Sequence, residues 1–151
     1  MHRSLRILII LFLLAGSIFV NPVTPAYAQE ISIPAQINKQ FDPIAITAGD
    51  ISKLSVTIYN PNTYELTDAA WTDNLVGIQP GLRIADDVNL VNTCDGVTPS
   101  TVIADPGGTT LSLSGATVPP QTGATPGECT VTVDVTSTTA GNLLNKIPEN
   151  T

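Results

Sequence analysis

Between Gly127 and Thr136 apolar and polar residues alternate without a break. Cys129, Val131, Val133 and Val135 fall on one side, and Thr130, Thr132, Asp134 and Thr136 on the other. Successive side chains of a β-strand leave opposite faces, so this period of two predicts a half-buried strand, apolar face inward and threonine face to water. The same alternation sets Leu54, Val56 and Ile58 against Ser55, Thr57 and Tyr59 in a second strand. Asn60-Pro61-Asn62 stops it, because proline brings no amide donor to a ladder. Ile37, Lys39 and Phe41 share one face of an extended stretch bounded by Pro34 and Pro43, which suits an edge strand. Ala69, Trp71, Asp73 and Leu75 share the face of another, and Leu82 with Ile84 makes a short one. Val102-Ile103 and Leu111/Leu113 flank Asp105-Pro106-Gly107-Gly108, good turn residues that predict a hairpin. After Gly141, the residues Leu143, Asn145 and Ile147 share a last face.

No segment carries a helical period, and the valine and threonine content favours sheet. The pattern predicts an all-β fold, an immunoglobulin-like β-sandwich of about 7–9 short antiparallel strands. Trp71 precedes both cysteines, so the tryptophan-between-cysteines pattern of true immunoglobulin domains is absent.

The first residues read differently. Arg3 and Arg6 precede an apolar run from Ile7 to Val20, and Ala26-Tyr27-Ala28 closes it. A basic start, a short apolar core and a small-x-small end predict a signal peptide over residues 1–28, cut after Ala28, ahead of one sandwich domain over 29–151. The expected product is secreted or displayed at the cell surface, with no membrane span left after cleavage. The only histidine, His2, would leave with that peptide, removing histidine-based acid–base chemistry and histidine metal ligands. The chain has 6 basic residues against 13 acids. Cleavage takes two of the basic ones, and so acidic a protein repels phosphate backbones, which argues against nucleic acid. Export puts the two cysteines, Cys94 and Cys129, in a compartment that permits disulfides, and with only two the pairing is unambiguous.

Several motifs, taken in order, resemble a known family. They are Ile37-Asn38-Lys39-Gln40-Phe41-Asp42-Pro43, Ala48-Gly49-Asp50 and Leu54-Ser55-Val56-Thr57-Ile58-Tyr59-Asn60, then Thr72-Asp73-Asn74-Leu75 with Pro80-Gly81-Leu82. Thr93-Cys94-Asp95-Gly96, Glu128-Cys129-Thr130-Val131 and the final stretch from Gly141 to Pro148 complete the set. Together they resemble the conserved-repeat domains of bacterial surface proteins, relatives of domain of unknown function eleven. The resemblance implies an immunoglobulin-like module of large exported or surface proteins, often in tandem. This chain shows one copy, expected to be a stand-alone domain or the front piece of a longer product.

Three polar residues stand where alternation asks for apolar ones: Lys39 between Ile37 and Phe41, Asp73 between Trp71 and Leu75, Asn145 between Leu143 and Ile147. Buried polar groups need partners, so the three are expected to meet. Their order resembles the autocatalytic isopeptide sites of Gram-positive pilins and adhesins, in which a neutral lysine attacks the asparagine amide while the acid shuttles the proton. The alternative is a buried Lys39–Asp73 ion pair hydrogen-bonded to Asn145. Tyr59 and Tyr64 are candidate ligand-contact aromatics, whereas Trp71 reads as core. Asp86-Asp87 with Asp95 matches no established calcium loop. No metal or cofactor is expected, and the serines and threonines lack a base for hydrolysis. The sequence therefore predicts a non-catalytic structural or adhesive module, the other reading being a carbohydrate- or protein-binding module that uses loop aromatics on a surface glycan or protein.

Overall fold

The computed structural model describes residues 32–77 and 79–143. The proposed signal peptide and Asn145 lie outside the described residues. Among the described residues ten strands follow one another: β1 (Gln36–Asp42), β2 (Ala45–Ile46), β3 (Ile51–Asn60), β4 (Leu66–Asn74), β5 (Leu82–Ile84), β6 (Val91–Asn92), β7 (Thr101–Ile103), β8 (Thr110–Val118), β9 (Gly127–Ser137) and β10 (Gly141–Asn142). Every pairing is antiparallel. One sheet runs β1-β3-β9-β5 with β6 also on β9, a second runs β4-β8-β7, and β2 pairs with β10.

The fold is an all-β, immunoglobulin-like sandwich. Its strand number exceeds the expected seven to nine because β2, β6 and β10 have two residues each, too few to show an alternation. The strand read first from the sequence is the middle of the larger sheet. Along β9, Cys129, Val131, Val133 and Val135 are all buried, and β3 presents Leu54, Val56 and Ile58 beside them. From the smaller sheet β8 sends in Leu111, Leu113, Ala116 and Val118. These residues form two clusters, one around Leu54, Leu75, Ile84 and Val133, the other around the two cysteines and Val118; Trp71 and Val102 pack against both.

Three details depart from the periodic reading. The outer threonine face of β9 is not simply open to water. Thr130 Oγ1 lies 2.9 Å from Thr57 Oγ1, and Thr136, only 8% exposed, donates its hydroxyl to the Asp50 carbonyl. Leu75 is buried but sits in a single 3-10 turn, Leu75–Gly77, beyond the end of β4. Ile37 shares the side of Lys39 and Phe41 yet is 39% exposed, at the second position of β1.

Turns form where the sequence supplies the residues for them. Between β2 and β3, Gly49 takes φ +89°, a left-handed conformation that side chains resist, and Asp50 accepts from the Thr47 hydroxyl to close the loop. The predicted hairpin joins β7 to β8 through Pro106-Gly107, with Thr101 opposite Ser114. Among the described residues no helix is long and apolar enough to cross a membrane.

Candidate functional site

Lys39 and Asp73 meet. Lys39 lies mid-way along β1, opposite Val56 of β3, and Asp73 lies near the end of β4, opposite Leu111 of β8. Among the described residues β1 and β4 are each an edge of their own sheet, so the pair joins the two sheets along one side of the sandwich. The Lys39 side chain is 1% exposed and that of Asp73 10%. The lysine Nζ donates to Asp73 Oδ2, and it also lies 5.5 Å from the centre of the Phe41 ring, whose face attracts a cation. Burial pushes the lysine amine below its ordinary range, while the hydrogen bond and the charge of Asp73 oppose that shift without overcoming it. Asp73 makes a further interaction besides this one.

An apolar setting sharpens the electrostatics. Phe41, Val56 and Leu111 beside the pair are 4%, 1% and 0% exposed, so little water screens the charges. Two residues before Asp73, the indole Nε1 of Trp71 is buried with no hydrogen-bond partner among the described residues. The tryptophan is nevertheless core, as its alternation predicts, because its ring packs against both apolar clusters.

The cysteines are joined: Cys94–Cys129 is a disulfide with Cα atoms 4.8 Å apart. Its position explains its use. Cys94 belongs to an irregular segment that crosses from one sheet to the other. Thr93 donates its amide to the Thr130 carbonyl on β9, and the Cys94 carbonyl accepts from Thr117 on β8. The bridge therefore fastens the crossing segment to the central strand, with both sulfurs inside the core.

Tyr59 is half-buried on the outer face of β3 opposite Glu128, and Tyr64 is half-buried in the loop before β4. A concavity on the outside of the smaller sheet is lined by other residues. Asp95 is engaged within its own loop: its Oδ1 accepts from the Ser100 hydroxyl and amide and from Asn92 Nδ2, and these bonds, the Ser100 hydroxyl first, lower its pKa.

One polar constellation escaped the sequence reading. Asn60, the residue before Pro61, is fully buried at the last position of β3. Its Nδ2 donates to the carbonyls of Tyr64 at 2.7 Å and Pro119 at 3.0 Å, and its Oδ1 accepts from the amide and side chain of Asn62. Asn62 in turn exchanges two hydrogen bonds with the backbone of Ile33. The signal was present in Asn-Pro-Asn, but it reads as a strand stop because two of the carbonyls that these amides satisfy, those of Pro119 and Ile33, come from distant segments.

Sandwich, disulfide and inward ion pair define an immunoglobulin-like module whose internal ties join its two sheets. The chain belongs to the family described as Domain of unknown function (DUF7933), whose model matches residues 35–150. No curated protein matches it.

Proposed function

We propose that this chain is an exported, non-catalytic structural or adhesive module of a bacterial cell-surface or secreted protein. The observation that carries the reading is the buried Lys39–Asp73 pair between the two edge strands. An ion pair of this kind stabilises no better than apolar side chains of similar volume, because both charges must be stripped of water. What it supplies is a specific lock between two sheets, the property a surface module exposed to pulling forces needs. The disulfide and the resemblance to conserved-repeat surface domains support the same reading. In this reading residues 1–28 direct export and are removed after Ala28. The test is to recover the protein from its native source, locate it by fractionation and sequence its N-terminus. A surface or secreted product starting at Gln29 supports the proposal; retention of Met1 in the cytoplasm overturns it.

A second reading is favoured by the lowered pKa of the buried amine. Loss of its proton, which burial eases, makes the Lys39 amine nucleophilic. Its Nζ attacks the side-chain Cγ of Asn145, the carbon–nitrogen bond of that amide breaks, and ammonia leaves, carrying a proton that Asp73 takes from the amine and delivers to the leaving nitrogen. The product is an amide cross-link between Lys39 of β1 and Asn145. Intact-mass spectrometry separates the two forms: the covalent form weighs one ammonia less than the sequence, and Lys39→Ala or Asp73→Ala restores the full mass. A full mass in the wild type leaves the ion pair alone as the lock.

A further inference from the structure

The outer face of the smaller sheet carries a built groove. Its position follows from the β4–β8 register, in which Leu66 faces Val118, Ala69 faces Ala116, and Trp71 faces Leu113. Between the first two pairings β4 has two residues, Thr67 and Asp68, against Thr117 alone; between the next two, β8 has Ser114 and Gly115 against Ala70 alone. Two bulges, one on each strand, thus compensate each other and restore the register beyond them. A bulge bends its strand and re-aims its extra residues, so a matched pair carves a depression into what would be a flat face. All four bulge residues line the resulting groove, of 520 Å³, within the range of ligand pockets. Asp68 takes φ +56° there, uncommon for any residue with a side chain, and a Cβ added at Gly115 would meet nothing within 4 Å.

On the side of the sheet the lining is acidic and polar. Glu65 and Asp68 bring carboxylates, and Thr67, Thr101, Ser114 and Thr117 bring hydroxyls. None of these six side chains makes a hydrogen bond or ion pair with another described residue. That separates the groove from the outer face of β9, where hydroxyls are already engaged with one another and with backbone. Neither lysine nor arginine lines the groove, and no aromatic ring does, so charge has no internal partner and a sugar ring has no stacking platform. On the far wall, a loop with Pro99 and the fully exposed Val97 offers apolar surface on which the methylenes of a long cationic side chain can lie.

We propose that this groove is a docking site for a basic segment of a partner protein. An arginine or lysine side chain enters between Glu65 and Asp68, and the hydroxyls accept the amide protons of its backbone. Charge complementarity selects the occupant: two unpaired carboxylates in an acidic protein attract a cation and repel an acidic chain. The proposal goes beyond the structural role above, since it assigns the module a partner.

The test uses isotope-labelled mature protein titrated with a blocked hexapeptide of alternating glycine and arginine, read by amide NMR shifts. Saturable shifts at Asp68, Gly96 and Gly115 that weaken at high salt are expected. Glu65→Gln combined with Asp68→Asn keeps side-chain size, and asparagine tolerates the left-handed backbone, so the fold persists while affinity falls about tenfold. The matching glycine–glutamate peptide should give no shift. Absence of saturable shifts at the groove overturns the proposal, as do undiminished shifts in a double variant whose melting temperature is unchanged. Saturation by a neutral β-linked glucose tetrasaccharide, with silence toward the arginine peptide, would assign the groove to sugars instead.

Discussion

Removing the disulfide, by Cys94→Ala together with Cys129→Ala, tests how much of this fold rests on a restraint that acts in the unfolded chain. The bridge closes a loop of sequence separation 35. The chain-entropy relation gives such a loop about 3.8 kcal/mol of stabilisation at room temperature. For a domain spanning residues 35–150, unfolding entropy is about 0.24 kcal/mol/K, so the loss corresponds to a fall in melting temperature of about 16 °C. Both cysteines are essentially fully buried, and trimming each to alanine removes packing worth roughly a further 1 kcal/mol per site. Differential scanning calorimetry and urea unfolding together check the result. The urea slope should rise, because the chain without its cross-link expands further when unfolded. A fall of under about 5 °C with an unchanged urea slope would refute the argument: the crossing segment around Cys94 would then be held by its hydrogen bonds to β8 and β9 alone.

Lys39→Met removes the cation that the buried Asp73 accepts from and should cost about 3–5 kcal/mol in urea unfolding, whereas Lys39→Met with Asp73→Leu should recover most of it. Because burial lowers the Lys39 pKa, the unfolded chain binds more protons just below 10.5; this group's contribution therefore rises with pH through that window, and the wild-type-minus-Lys39→Met stability difference should rise with it. Asn60→Leu strands the carbonyls of Tyr64 and Pro119, and a loss of about 2–4 kcal/mol is expected, with NMR shifts concentrated at Tyr64, Asn62 and Ile33.

How much of this was legible in advance differs from residue to residue. The run from Cys129 to Val135 announced its strand and its buried face because alternation is local: the backbone pleat alone sends neighbours to opposite sides. Lys39 and Asp73 were legible for the same reason, each a polar residue on a face that must be apolar, and burial cost required that they find partners. The disulfide needed only a count of cysteines. Alternation does not carry beyond one strand, however. That Asn60 reaches the Pro119 carbonyl, and that Thr136 is covered by the Asp50 turn, depended on segments brought together from far along the chain. The groove was the least readable feature. Thr67-Asp68 and Ser114-Gly115 are ordinary exposed residues in sequence, and only the pairing of β4 with β8 shows that each pair is one residue too many for its partner. A bulge is a property of two strands in register, so a single strand's sequence holds no record of it.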